Sequence, residues 1–381
     1  MPRRATSADV ATEAGVSRTT VSFVLNGRTD VKIPAETRQR VLDAAERLGY
    51  HPHAPARQLV GGRSYIVALV LRQSPEQIAG DAVLAETLRG FAASARAGGF
   101  RVMVEPLPAD DHSPTYADLL RSQHADGLVV SGPRVDDPSL QELVRDGFPI
   151  VLQGSLPGLS VASVDVDNVA GARGAVEHLI ELGHRRIACI TNAPLVYTAA
   201  QERLSGYHAA LAAGGIEADP VLVAEGGFDA PSGHVAMSQL IARTAFDAVF
   251  VASDVVALGA IGGLREAGMR VPDDVSMVGF DDIPLAAYFD PPLSTVRLPA
   301  FELGQAAGQA LIDRIDDRPV PERTLLPTEL VVRASTRPRD GSSPGTTNGR
   351  VRPADGGRRR SDDPSASGGG RSAEGPTPGK E

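Results

Sequence analysis

Apolar residues recur at helical spacing from the start of the chain. Val10, Ala11 and Ala14 share one face of a short helix over 6–14, with Thr6 placed to cap it. Gly15-Val16 makes a tight turn. Ser17 can cap a second helix, Arg18 to Leu25, whose Val21, Val24 and Leu25 turn inward and which Asn26-Gly27 ends. A third helix opens at Pro34, a favoured first-turn residue. It runs to Leu48 and stops at Gly49, with Val41, Leu42, Ala45 and Leu48 as its inner face. Three short helices with a Gly-containing turn between the first two predict a helix-turn-helix over 1–50.

Residues 51–63 have linker composition, and Pro55 to Val60 has room for one or two helical turns, too short to be stable alone in water. From Tyr65 the period changes. β-rich runs (Ile66–Leu71, Arg101–Glu105, Leu128–Ser131, Ile150–Gln153) alternate with helical stretches at 82–97, 115–125 and 138–146. The rhythm restarts with a helix at 168–182. Strands at Arg186–Ile190, Val221–Ala224, Ala248–Val251 and Val275–Gly279 then alternate with helices at 199–213, 232–243 and 254–267. Such alternation predicts parallel sheets with helices on both faces. Two series of similar length imply two lobes, with a ligand cleft at the carboxyl ends of the strands. The expected fold is therefore an all-α head on a two-lobed α/β core. Residues 337–381 are rich in Gly, Ser, Pro and Arg, with Val351 as their one large apolar residue, and predict a disordered tail.

Charge sharpens this division. The net charge is −9, yet residues 1–63 carry ten Lys and Arg against six Asp and Glu. The tail carries nine against six, which leaves −16 on 64–336. A basic head on an acidic body suits a DNA-binding module attached to something else, although a balance of +4 is also within the range of an ordinary solvated surface. The single cysteine, Cys189, sits in an apolar run and reads as a buried strand residue. The opening residues lack the apolar core of a secretory signal, and no apolar stretch is long enough to span a membrane. A cytoplasmic, nucleoid-associated protein is the expectation.

Dispersed motifs now decide the family. The head carries Asp9-Val10-Ala11, Ala14-Gly15-Val16-Ser17, Thr20-Val21-Ser22 and Leu25-Asn26-Gly27, then Leu48-Gly49-Tyr50 and Pro52. The core carries His178-Leu179, Leu182-Gly183-His184-Arg185-Arg186-Ile187, Arg203-Leu204-Ser205-Gly206-Tyr207 and Ser253-Asp254. Gly279-Phe280-Asp281-Asp282 and Pro291-Pro292-Leu293-Ser294-Thr295-Val296 follow. In this order, over 6–336, the sequence resembles the lactose-repressor (LacI/GalR-type) family of transcriptional regulators. The resemblance implies a hinge helix at 51–63 and a periplasmic-binding-protein-like core at 64–336 that the chain crosses three times. With crossings near Ser163–Val164, Pro291–Pro292 and Leu326–Pro327, lobe one is 64–163 plus 292–326 and lobe two is 164–291 plus 327–336. It also implies a homodimer and a small-molecule effector, a sugar, that controls binding to double-stranded operator DNA; such a regulator is a repressor or an activator, with a repressor expected. The tail, which lacks leucine, offers no seam for the tetramers that some relatives form.

The second helix would lie in the major groove. Arg18 suits either a bidentate bond to guanine O6 and N7 or a phosphate contact. Thr19 suits a base edge or thymine methyl, and Ser17, Thr20, Ser22 and Asn26 suit phosphates. Phe23 replaces a position that is often polar in the family and is limited to apolar contact. Leu59 matches the family's leucine wedge in the minor groove, where unstacking a base step bends the DNA onto more protein. For the effector, the resemblance carries over Asp81, Val83, Leu84, Tyr197, Ala199, Arg203, Phe228, Ser253, Asp254 and Asp281. A guanidinium and a carboxylate facing a cleft can each make two charge-assisted hydrogen bonds to neighbouring hydroxyls. Arg203 and Asp281 could equally pair with each other to bridge the lobes. Asp165 and Asp167 alternate along an apolar strand at a lobe crossing and read as structural, and His178 and His184 as packing or capping residues. No phosphate-binding loop, metal-binding spacing or nucleophile–base set stands out, so no enzyme, metal or cofactor is expected. The rival readings are a transport-type sugar-binding protein and an enzyme on the same core.

Overall fold

The computed structural model describes residues 5–25, 31–50, 63–107 and 116–339. Asn26, Leu59 and the hinge at 51–62 lie outside the described residues, as does the tail from 340.

In the head, α1 spans Ser7–Ala14, α2 Arg18–Leu25 and α3 Ala35–Arg47. Thr6 and Asp9 close a reciprocal cap on α1: the Thr6 backbone N–H donates to Asp9 Oδ2 at 2.8 Å, and the Asp9 N–H donates back to Thr6 Oγ1. Gly15 ends α1 in the left-handed region at φ +66°. Val10, Ala11, Ala14, Val21, Val24, Val41, Ala44 and Ala45 form the core of the head. The inner face expected for the third helix needs correction here. Leu42 and Leu48 are 42% and 37% exposed, and Ala44 is fully buried in their place. Val41, Ala44 and Ala45 are three and four residues apart and stack on one stripe, which leaves Leu42 a quarter-turn off it.

The core holds two sheets. The first contains β1 (Ile66–Leu71), β2 (Arg101–Pro106), β3 (Gly127–Ser131), β4 (Ile150–Gln153), β5 (Ser163–Val166) and β11 (Arg323–Leu326), in the order β11-β5-β4-β3-β1-β2, all parallel. The second contains β6 (Ile187–Ile190), β7 (Val223–Ala224), β8 (Ala248–Val251), β9 (Ser276–Asp281), β10 (Ser294–Arg297) and β12 (Glu329–Val331), in the order β12-β10-β9-β8-β6-β7. Its pairs are parallel except β10 with β12. The helices between them are α4 (Pro75–Gly80), α5 (Leu84–Ala97), α6 (Tyr116–Arg121), α7 (Pro138–Arg145), α8 (Asn168–Glu181), α9 (Thr198–Ala213), α10 (Ala230–Arg243), α11 (Asp254–Glu266) and α12 (Ala300–Ile315). The central strands are continuous apolar runs because helices cover both faces: β6 and β8 are buried at every position. In lobe one, α5 and α12 approach backbone to backbone. A Cβ on Gly90 would overlap the Phe301 carbonyl oxygen, and one on Gly304 the Thr87 carbonyl oxygen.

The strand order relocates two crossings. β5 stays in the first sheet to Val166, so the chain first leaves lobe one at Asp167, three residues later than the sequence placed it. β10 pairs with β9 through Arg297, so 292–297 belongs to lobe two and the second crossing follows at Leu298-Pro299. The third runs between Leu326 and Glu329. The first correction arises from pairing with the distant β11, the second from pairing with the preceding strand β9. The core also runs past 336. The Arg337 N–H donates to Ser276 Oγ at 3.1 Å, and the Arg339 N–H donates to the Leu182 carbonyl at 2.9 Å. His178 and His184 fasten the same segment, through Thr336 Oγ1 and the Arg337 carbonyl, each at 3.1 Å.

Candidate functional site

On the head, Ser17 caps α2: its Oγ accepts the Thr20 N–H at 3.1 Å and lies 2.9 Å from Thr20 Oγ1. Val21 and Val24 are drawn into the core, which turns Ser17, Arg18 and Thr19 outward and leaves Thr20, Ser22 and Phe23 half-buried. Ser17, Arg18 and Thr19 thus form an exposed polar group at the N-terminus of α2.

In the core, a cavity of about 160 Å³ lies between the lobes at the carboxyl ends of the strands. That is below the ~300–1,000 Å³ of a typical ligand site, so this arrangement encloses room for a compact ligand. Asp81 and Val83 line it from lobe one, and Tyr197, Ala199, Arg203, Phe228, Ser253 and Asp281 from lobe two. Leu84 and Asp254 are not on its wall. Leu84 packs into the lobe-one core. Asp254 is fully buried, and it accepts Thr295 Oγ1 at 2.6 Å and the Ile283 N–H at 3.0 Å. It thereby ties the loop after β9 to β10, and burial beside Asp281 holds its pKa well above the usual carboxylate value.

Arg203 and Asp281 meet at the cavity, with Nη1 to Oδ1 at 3.2 Å. Both belong to lobe two, α9 and the end of β9, so the pair does not bridge the lobes. The same Nη1 donates to the Ala252 carbonyl at 2.6 Å, Nε donates to Asn168 Oδ1 at 2.9 Å, and the guanidinium lies 3.8 Å over the Phe280 ring. The arginine is held by packing before any ligand arrives. Burial pushes the Asp281 pKa upward, against Arg203 and the Ser253 hydroxyl, which favour the charged form. Asp281 and Phe228 hold φ values of +116° and +71°. Strained non-glycine backbone of this kind persists where the surroundings over-determine it, often at ligand sites.

The lobes are joined by Tyr197, which the sequence offered only as a lining residue. Its hydroxyl donates to the Arg72 carbonyl of lobe one at 2.6 Å, and its ring stands edge-on to Phe228 with centroids 4.8 Å apart. The Arg134 guanidinium of lobe one lies 5.1 Å over the same ring, and the Val135 N–H donates to the Val196 carbonyl at 2.9 Å. Asp81 serves as a cap, with Oδ1 accepting the Val83 and Leu84 N–H groups and Oδ2 accepting Gln73 Nε2, and burial raises its pKa. Sequence reasoning missed Gln73, Gln153, Asn168, Asn192 and Thr198 on the wall. Position at a strand end or helix start was their only signal. Among the described residues no cluster of His, Cys, Asp and Glu could hold a metal ion.

Comparison with known proteins places this geometry. Residues 6–53 match the bacterial regulatory proteins of the lacI family, and 176–336 match the periplasmic binding protein-like domain. The HTH-type transcriptional regulator CelR of Thermobifida fusca is 40% identical over 338 residues, covering 87% of this chain and 98% of that protein. The chain belongs to the lacI family. It is a transcriptional regulator with a helix-turn-helix head. The repressor CytR of Escherichia coli K12 is 35% identical over 87% of this chain and 96% of its own. Among solved structures, a CelR–cellobiose complex superposes with a TM-score of 0.66 at 37% identity, over 87% of this chain and all of that one. The lac repressor dimer bound to operator and the anti-inducer ONPF gives a TM-score of 0.76 at 30% identity, over 88% of this chain and all of that one.

Proposed function

We propose that this lacI-family regulator represses transcription as a homodimer, with each α2 in the major groove of an operator half-site, and that a sugar in the interlobe cavity controls its affinity for DNA. The observation that carries the reading is the buried Arg203–Asp281 pair on the wall of a cavity that also holds the Tyr197–Phe228 aromatic pair. A guanidinium and a carboxylate side by side bind neighbouring hydroxyls in both polarities, and an aromatic pair covers the apolar face of a sugar ring. The cellobiose bound by CelR supports a carbohydrate as the ligand class. The relatives are transcriptional regulators, which supports a sugar that is bound and released unchanged. A protein that reads chromosomal operators works in the cytoplasm, at the nucleoid.

The test is a gel shift on DNA upstream of the protein's own gene, with and without cellobiose, glucose, galactose and ribose. One or more sugars should change the midpoint of the shift. A complex that none of them alters, together with absence of binding by calorimetry, would remove the sugar from this reading and leave the regulator.

A further inference from the structure

Asp165 is 6% exposed and lies on the cavity wall. Its Oδ1 is fully used, accepting the Val166 N–H at 2.8 Å and Asn168 Nδ2 at 3.3 Å. Its Oδ2 is sealed from solvent and has no hydrogen-bond partner among the described residues. A dry, unpaired carboxylate oxygen costs folding free energy. An asparagine would make the same two Oδ1 bonds and would replace the unpaired charge by an unpaired neutral amide, a smaller penalty. The fold alone therefore gives no reason for a carboxylate here. Gln73 repeats the pattern: its Nε2 donates to Asp81, which fixes the amide orientation, and its Oε1 is likewise buried and unpaired. Both residues stand on the lobe-one side, at the ends of β5 and β1. Among the described residues, the one guanidinium on the cavity wall, that of Arg203, is on the other side.

These atoms form a continuous polar chain across the first crossing. Asp165 belongs to the last strand of lobe one before the chain leaves it, and Asn168 is the first residue of α8 in lobe two. Asn168 donates to Asp165 and accepts from Arg203 Nε, and Arg203 holds Asp281.

Given the cavity as the sugar site, we propose that Asp165 is the lobe-one residue that recognises the effector. Its Oδ2, which no described protein group uses, accepts a ligand hydroxyl once the lobe-one wall opens to the cavity, opposite the Arg203–Asp281 pair. Asn168 couples the two sides, so the site selects a polyhydroxylated ligand that presents hydroxyls to both lobes at once.

The experiment compares the full chain with its Asp165→Asn variant, which keeps an acceptor for Val166 and Asn168 and loses the unpaired charge. Without ligand, the variant should melt at or above the wild-type temperature. A lower Tm would show that the carboxylate serves the fold and would overturn the proposal. Calorimetry with cellobiose, glucose, galactose and ribose should show at least tenfold weaker binding of the preferred sugar in the variant. One monodeoxy analogue of that sugar should bind both proteins equally, a pattern that a structural role would not produce. If the wild type binds a sugar and Asp165→Asn binds it as tightly, the proposal fails while the sugar reading stands. If the wild type binds none of the four, the sugar reading fails and takes the proposal with it.

Discussion

The Arg203–Asp281 pair allows the effector site to be separated from the fold by two substitutions. Arg203→Ala removes a side chain with three partners inside lobe two, the Ala252 carbonyl, Asn168 and Asp281, and leaves the Asp281 carboxylate buried without its cation. Breaking a buried pair from one side costs about 3–5 kcal/mol, a large share of the ~5–15 kcal/mol that holds a typical domain together. Loss of effector response in that variant would say little about the site. Asp281→Asn is the cleaner perturbation. It keeps an oxygen for Arg203 Nη1, and the guanidinium left without its anion still donates to the Ala252 carbonyl and Asn168 and lies over the Phe280 ring, so the fold should lose less than in Arg203→Ala. A ligand hydroxyl would exchange a charge-assisted bond of ~1.5–3 kcal/mol for a neutral one of ~0.5–1.5. The difference of about 1–1.5 kcal/mol weakens binding roughly tenfold. The expected result is a Tm close to wild type, unchanged operator binding without effector, and a tenfold rise in the sugar concentration that alters the gel shift. Normal sugar affinity in Asp281→Asn, or loss of DNA binding with sugar affinity intact, would refute the assignment of Asp281 to the ligand.

Other consequences are equally open to measurement. Arg18→Ala should weaken operator binding by about 1–3 kcal/mol and relax preference at one base pair per half-site, with a much smaller change on random DNA; equal losses on both would make Arg18 a phosphate contact. The Asp165 pKa is pushed up to about 6, by burial first and then by Glu202, against the opposing pull of Arg203. The folded state therefore holds this proton where the unfolded chain has released it, and the stability it contributes is present below about pH 4 and lost as pH rises through about 6. By linkage that is about 3 kcal/mol at most, so the Tm of Asp165→Asn minus that of wild type should grow from pH 4 to pH 7; a constant difference contradicts it. Gly304→Ala places a methyl on the Thr87 carbonyl and should destabilise by at least about 1–3 kcal/mol; an unchanged Tm would show that α5 and α12 can part. Deleting 341–381 removes no leucine, so sedimentation should find the same dimer with and without it, and a tetramer lost on deletion would refute that.

Periodicity made the element order legible because each element is specified locally. The capping residues Thr6 and Ser17, the turn at Gly15 and the apolar runs of β6 and β8 all act within a few residues of themselves. What failed depended on distant partners. Val166 and Arg297 are the last residues of their strands only because Leu326 and Asp281 lie beside them, and those neighbours are 160 and 16 residues away in sequence. Leu42 looked like core by size, but three helices this short pack closely enough that Ala44 fills the interior. Arg337 and Arg339 looked like the start of a polar tail, and they anchor it through His184, Ser276 and Leu182. At the cavity, the resemblance supplied Arg203, Phe228 and Asp281 but also carried over Asp254, whose two oxygens are both committed to the protein. Asp165 had the opposite fate. Alternation on an apolar strand marked it as structural, and only the three-dimensional accounting of its two oxygens distinguishes the one the fold uses from the one it does not.

If a sugar is the effector, the same atoms constrain how its binding reaches the DNA. An effector shifts an equilibrium between lobe arrangements only by the difference in its affinity for the two. Contacts confined to Arg203 and Asp281 would be the same in both arrangements, since the two residues move together with lobe two. The difference must come from atoms whose spacing changes as the lobes move. Tyr197 is one such place, bonded to the Arg72 carbonyl across the cleft while its ring meets Phe228 within its own lobe. Asp165, joined to Arg203 through Asn168, is another. A ligand that touches lobe two alone would bind without signalling. On the proposed reading the regulatory information lies in the lobe-one wall, where one or two hydroxyl contacts of ~1.5–3 kcal/mol are enough to supply the ~1–3 kcal/mol coupling usual for allosteric proteins.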